Sequence, residues 1–255
     1  MSGGHAHGLY VHARSPLHDA APHCKVVAAL AFVVAVVATP RVAVWAFAAH
    51  AVVVAAAARA GRVPAPFVAR RLTLELPFVA FALLLPFVGG GPRVDVAGVA
   101  LSVEGSWAAW NVVAKATLTT AAMIVLGATT TVADVLHGLE RLRAPRAATA
   151  IAGFMIRYAD VVTGEVRRMR LARAARCYDG RGLRAARASG ATLATLFVRS
   201  FERGERVHVA MLSRGFSGVM PPVARERPAS RAQWRAALSV PMAAAVVCAL
   251  AWSVA

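Results

Sequence analysis

Acidic side chains are scarce in this chain: 12 Asp plus Glu stand against 29 Lys plus Arg, so its 255 residues carry a formal charge of +17 with histidine neutral. Charge of either sign is also thin. Only 16% of residues are charged while 58% are hydrophobic, against roughly 25% and 45–50% in an ordinary soluble domain. That balance excludes a disordered basic tail, whose low hydrophobicity could not drive burial. It also argues against a nucleic-acid-binding domain, which a basic pI alone would suit, because such a domain carries no apolar runs of membrane-spanning length. Cysteine is scarce as well: Cys24, Cys177 and Cys248 are too few and too far apart for a disulfide framework or a zinc site. No G-x-x-x-x-G-K-[ST] phosphate loop, no Gly-x-Ser-x-Gly elbow and no His-Glu-x-x-His pair occurs. The expectation is a non-enzymatic integral membrane protein with no cofactor and no resident metal.

Crossing about 30 Å of hydrocarbon takes about 20 helical residues, somewhat fewer where a bundle thins the bilayer. Segments of this kind run from Lys25 to Thr39, Val42 to Ala58, Leu72 to Val88 and Trp107 to Thr129, with a fifth from Trp234 to Val254. Pro40 and Arg41 make a tight turn after the first, while Pro77 and Pro86 are tolerated in the third because neighbouring helices can satisfy the freed carbonyls. A sixth segment, Ala144 to Val162, contains Pro145, Arg146, Arg157 and Asp160 and reads as a packed or half-inserted helix rather than a clean span. The first 23 residues have no apolar centre and are read as an arm rather than a cleaved signal. His5, His7 and His12 in that arm, without a carboxylate or cysteine at ligand spacing, read as solvated residues rather than a metal site.

Arginine placement orients the spans. The connection from Arg59 to Arg71 holds Arg59, Arg62, Arg70 and Arg71 and no acid, which assigns it to the cytoplasm; Gly89 to Ser106 pairs Arg93 with Asp95 and Glu104 and fits the outside. The N-terminus is then cytoplasmic. Residues 130–233 hold 19 of the 29 basic and 8 of the 12 acidic residues, a cytoplasmic block of net +11. Alanine, arginine and leucine make that block helical. One helix is expected from Ala147 to Arg176, stopped by the glycines and Asp-Gly of Cys177 to Gly182, and another from Leu183 to Ser213, broken near Ser189 and Gly190. Gly215, Gly218, Pro221 and Pro222 end the second, and Val223 to Ala232 is a polar linker.

Two patterns stand out in the block: Ala175-Arg176-Cys177 and Ser213-Arg214-Gly215 each place one arginine between small residues beside a helix end. Small flanks let a backbone lie flat in a groove, and a guanidinium makes paired hydrogen bonds to carboxylates or carbonyls. Arg199, Glu202, Arg203, Glu205 and Arg206 lie on one helix, where Glu202 and Arg206 are an i,i+4 ion pair. Glu75 and Lys115 fall inside spans, where they read as pairing or snorkelling groups.

These residues resemble the Ala-Arg-Gly coupling motifs of the transmembrane T component of energy-coupling factor (ECF) transporters, of the cobalt/nickel type called CbiQ. SPLHDAAPHCK (Ser15–Lys25), LERLRAPRAAT (Leu139–Thr149) and LFVRSFERGERVHVAMLSRGFSG (Leu196–Gly218) carry the rest of the likeness. The resemblance implies an all-α polytopic bundle of five or six membrane helices with long cytoplasmic coupling helices. Its domains would be an N-terminal arm (1–23), four spans (24–129), a coupling region (130–233, with a partly embedded helix near 144–162) and a last span (234–255). It further implies a plasma-membrane importer subunit that joins two ABC ATPases, through Arg176 and Arg214, to a separate substrate-binding membrane subunit, with the lipid bilayer as its other contact and no nucleic acid. Cys177 departs from the glycine usual in the first motif, and Ser213 from alanine in the second. Arg199, Glu202, Arg203 and Arg206 would stiffen the coupling arm. A vitamin-type T component is an alternative cargo reading; a membrane-anchored basic protein binding acidic lipid or nucleic acid is an alternative of another class.

Overall fold

The computed structural model describes residues 10–96, 99–178, 182–218 and 229–254. His5 and His7, the Asp-Gly turn at Asp179–Gly180, Pro221, Pro222 and most of the expected linker lie outside the described residues. The chain forms two compact units, one of residues 9–142 with 228–255 and one built on residues 143–227.

The first unit is a helical bundle. Its helices are α1 (Pro22–Ala38), α2 (Val44–Ala60), α3 (Ala65–Leu72), α4 (Leu76–Ala82), α5 (Leu85–Val88), α6 (Val103–Thr129), α7 (Val132–Arg141) and α10 (Arg231–Val254). The second unit contains α8 (Arg146–Ala175) and α9 (Leu183–Leu212). Three stretches are long and apolar enough to cross a membrane, 65–88, 103–129 and 231–254, joined by the shorter apolar α1 and α2. Their outward residues are what a water-soluble fold could not present: Leu74, Phe78, Phe81 and Val88 are all more than half exposed. Hydrocarbon is the solvent that accepts such a surface.

The expected third span is a relay of pieces rather than one rod. Its helical path starts seven residues early, at Ala65, passes through a 3-10 turn at Thr73–Glu75 and restarts at α4 and α5. Pro77 and Pro86 each sit in the first turn of a new helix, where the missing N–H is not needed. The segment 89–106 corrects the all-helical expectation locally. It holds a two-stranded antiparallel hairpin, β1 (Arg93–Val96) and β2 (Val99–Ser102), with Arg93 opposite Ser102 and Asp95 opposite Ala100. The alternation around Val94 is too short to outweigh its charged neighbours when read as sequence. α6 begins four residues before the expected Trp107, because Ser102 accepts a hydrogen bond from the Gly105 N–H at 3.0 Å and caps it. Gly105 is obligatory there: a Cβ would stand 2.3 Å from the Leu85 carbonyl oxygen, so this is where α6 meets α5.

The core lies between α1, α2 and α6, around Phe32, Val36, Phe47, Val54 and Leu118, with Ala244 of α10 joining it. The polar groups of the bundle are spent on helix ends. α1 leaves four terminal carbonyls without intrahelical partners. The Thr39 hydroxyl donates to Ala35 O at 2.9 Å and the Thr39 N–H to Val36 O at 3.2 Å. Lys115 Nζ donates to Val37 O at 2.7 Å and Trp252 Nε1 to Ala38 O at 2.9 Å. At the other end of the bundle α6 receives the mirror treatment, with Lys25 Nζ donating to Thr129 O at 2.9 Å and the Val11 N–H to Ala128 O at 2.9 Å. Lys25 and Lys115 are the chain's only lysines. Each stands on one of two antiparallel helices and caps the C-terminus of the other. Thr39 gives its single proton to Ala35, so the buried His50, 3.0 Å away, donates to it from Nε2.

Glu75 and Lys115 do not share a bond. Glu75 is buried and accepts from Thr117 Oγ1 at 3.1 Å, while Lys115 goes to α1.

In the second unit, α8 is a continuous 30-residue helix that includes the expected half-inserted segment 144–162 from Arg146 onward. α9 is also continuous over 30 residues, so the break expected near Ser189 and Gly190 is absent. One glycine costs a helix about 1 kcal/mol, which the surrounding alanine, arginine and leucine outweigh. The two helices are joined by Glu165 of α8, whose carboxylate bonds Arg168 on its own helix and Arg199 on α9. Its side chain is 13% exposed, whereas those of Arg168 and Arg199 are more than half exposed. The hydrogen bonds from Arg168 and then Arg199 hold its carboxyl below the ordinary 4.5.

Replacing Lys25 or Lys115 by methionine keeps length and removes one cap donor. Each variant is expected to lose about 1–3 kcal/mol, read as a fall of several degrees in thermal unfolding in detergent; unchanged melting would refute the capping role. For Glu165, a depressed pKa means that the α8–α9 link is complete above the ordinary carboxylate value and fails only as pH drops through the lower folded value. Hydrogen exchange of residues 160–170 and 195–203 should therefore be flat, after correction for intrinsic rate, from pH 8 to about 5, and Glu165→Gln should show faster exchange throughout that range.

Candidate functional site

The two arginine patterns prove to be the same backbone device. α8 ends at Ala175 and α9 at Leu212. At the first end the Cys177 N–H bonds Ala174 O at 3.0 Å and the Tyr178 N–H bonds Arg173 O at 3.2 Å. At the second the Gly215 N–H bonds Leu212 O at 3.0 Å and the Phe216 N–H bonds Met211 O at 3.0 Å. Both pairs are the crossed bonds of a Schellman cap, which closes a helix through one left-handed residue. That residue is Cys177, with φ +51°, and Gly215, with φ +80°. Arg176 and Arg214 immediately precede it and so occupy equivalent positions.

Sequence reading assigned the stop of α8 to the glycines of Cys177–Gly182. Cys177 itself takes the left-handed conformation instead, because the crossed bonds require it at the residue after Arg176. Gly182, at φ +60°, precedes α9.

Both arginines are exposed, as are Ala175, Cys177, Ser213 and Gly215. The Ser213 hydroxyl is turned back to Val209 O at 2.8 Å, leaving its small side chain flat on the helix. Among the described residues neither guanidinium enters an ion pair. A cation at a helix C-terminus is favoured by the helix dipole, which suits each guanidinium to its position at the tip. Each motif is therefore a helix end that presents an exposed guanidinium between two small residues.

The remaining residues distribute along α9. Arg199 reaches Glu165, and Glu202 and Arg206 form a 3.9 Å pair. Arg203 lines a notch with Phe154, Tyr158 and Met211. His12, from the histidine arm, meets the Tyr10 ring edge-on, at 4.9 Å between centroids. Among the described residues no group of three or more His, Cys, Asp or Glu side chains is placed to hold a metal ion.

Two residues escaped the sequence reading. Tyr178 and Phe216 each stand two positions after the motif arginine and donate the outer of the crossed bonds, to the carbonyl five residues back. The signal was the shared spacing of an aromatic residue behind both arginines.

The apolar bundle and the long helical pair define a polytopic α-helical membrane protein. The model of the CbiQ family, described as cobalt transport protein, matches residues 13–223, and the chain belongs to that family. The matched span takes in both arginine motifs and stops before α10. The chain is 29% identical over 169 residues to the cobalt transport protein CbiQ of Rhodobacter capsulatus, a stretch covering 66% of this chain and 67% of that one.

A left-handed Cys177 carries strain of about 1–2 kcal/mol that glycine lacks. Cys177→Gly should slow local opening at the end of α8, and Gly215→Val should speed it at the end of α9. Both are read from amide exchange at residues 176–178 and 214–216. Equal exchange in wild type and Cys177→Gly would show that the cap carries no strain.

Proposed function

We propose that this chain is the energy-coupling T subunit of an ECF-type ABC importer. In this reading it is a non-catalytic plasma-membrane protein with a cytoplasmic N-terminus. It links two ATPase subunits to a substrate-binding membrane subunit for uptake of cobalt or nickel ions. The observation that carries the reading is the duplicated Schellman end with an exposed arginine, Arg176 and Arg214. Two equivalent tips suit a pair of homologous ATPases, each offering one groove with carboxylate or carbonyl acceptors for a guanidinium. The metal cargo rests on the family and on the name of the Rhodobacter relative.

The exposed apolar row Leu193, Phe197 and Phe201 on α9, spaced by four, supports contact with a second membrane protein. The arginine-rich, acid-free connection Arg59–Arg71 supports a cytoplasmic location for the α2–α3 turn. In the mechanism, ATP-driven closure of the two ATPases moves the helix ends carrying Arg176 and Arg214. Because α8 is continuous over 30 residues, about 45 Å, displacement of its tip is carried along its whole length. Glu165, bridging to Arg199, makes α8 and α9 respond together.

The test is retention of the ATPases in a detergent extract of the co-expressed complex, with cobalt uptake measured in parallel. Arg176→Glu together with Arg214→Glu should reduce ATPase retention about a hundredfold, since each replacement removes a charge-assisted contact and adds repulsion. Membrane expression and melting temperature of the double variant should match wild type. Intact assembly and uptake in that variant would end the coupling assignment.

A further inference from the structure

The bundle contains a cavity of about 580 Å³ whose position follows from how α2 and α10 diverge. These helices pack closely at one end, where Ala43 and Ala46 meet Val247 and Ala251. Toward the other end, where α2 finishes and α10 begins, they line a cleft instead, with Ala57 and Ala60 on one wall, Ala236 and Ala237 on the other, and α1 and α6 behind. The walls are alanine where a bundle core would ordinarily carry leucine or phenylalanine, so the space follows from side-chain size. Ala236 and Ser239 are exposed, so the cleft is open along its side.

From this geometry we infer that the cleft is a binding site for one acyl chain of a membrane phospholipid. A void this large in a membrane bundle is filled by whatever surrounds it. The alanine and valine that line its deeper part give water none of the two to four polar partners that a buried water needs. The hydrocarbon of the bilayer has free access through the open side. The volume corresponds to about 20 groups the size of a water or methylene, close to a single long acyl chain.

The lining is also polarised along its length. Phe32 and Val54 are buried at the inner wall, whereas the polar lining residues Asp19, Lys25, Thr129 and Gln233 gather where α1 and α10 begin and α6 ends, and Ser239 lies further along α10. That is the order of groups an amphiphile presents from chain terminus to headgroup. Lys25 uses one of its three ammonium donors on Thr129, and Asp19 and Gln233 supply partners of the opposite kind for an ester, phosphate or amine.

The test is lipid retention by the full chain, reconstituted in long-chain phosphatidylethanolamine vesicles, re-extracted and washed exhaustively with detergent. Bound phospholipid is then counted by native mass spectrometry. Wild type should keep about one phospholipid per chain. Ala237→Leu and the bulkier Ala57→Phe fill the cleft and should lower occupancy about tenfold. Val52→Phe, which adds bulk on an exposed position of the same helix, should retain lipid like wild type. The milder Ala237→Leu decides the matter if Ala57→Phe fails to fold. A wild type without bound lipid, or equal retention in wild type and Ala237→Leu, overturns the proposal. So does selective loss of a partner membrane subunit from the Ala237→Leu complex with lipid retention unchanged, which would make the cleft the seat of a partner helix. None of these outcomes depends on the ATPase-coupling reading, which is tested at Arg176 and Arg214.

Discussion

Two antiparallel helices, α1 and α6, pack together in the bundle, and each ends on a lysine supplied by the other. A helix C-terminus leaves carbonyls without intrahelical partners, and here the bundle provides its own donors. Lys115 on Val37 and Lys25 on Thr129 do this at opposite ends of the pair. The exchange fixes the axial register of α1 against α6, since a shift of one turn would remove both caps together. Trp252 on Ala38 extends the same device to α10 and sets its height against α1. The rest of the bundle packs around that frame, with α2 antiparallel to α1 and α7 laid close to the start of α1. There Gly138 leaves room for the His23 backbone, only 3.0 Å from where a Cβ would be.

The second unit follows another logic. α8 buries a single residue, Thr149, and its partner α9 has no core of its own. Two 30-residue helices persist here on propensity, on capped ends and on charge pairs such as Glu165 with Arg168 and Arg199, not on an apolar interior. Such an element is stiff along its axis and weakly tied sideways. Under the proposed coupling role that combination suits a part that passes displacement from its tips, where Arg176 and Arg214 are exposed.

Much of this was legible in the sequence. Apolar runs bounded by Pro40, by Arg59–Arg71 and by the arginine-rich block located α1, α2, α6 and α10 to within about four residues and the start of the third apolar stretch to within seven, because bilayer thickness sets a length and charge sets the ends. The arginine motifs were also visible as patterns of small residue, arginine and small residue. The errors fall where a local rule competed with a neighbour's contribution. Pro77 and Pro86 divided the third span, since each found a first-turn position. Gly190 failed to break α9. A hairpin of four residues per strand was hidden by charged neighbours at Arg93 and Asp95.

By itself the sequence determined that this is a helical membrane protein with a strongly basic helical block, because hydrophobic length and charge are properties of the chain that no folding can change. Only the tertiary structure decided which groups meet. Lys25 and Thr129 are 104 residues apart and Lys115 and Val37 are 78, and no local pattern announces such partners. The same holds for the equivalence of Arg176 and Arg214, which rests on the left-handed φ of Cys177 and Gly215, and for the alanine-walled cleft between α2 and α10. Backbone torsion and empty volume arise from how segments settle against one another.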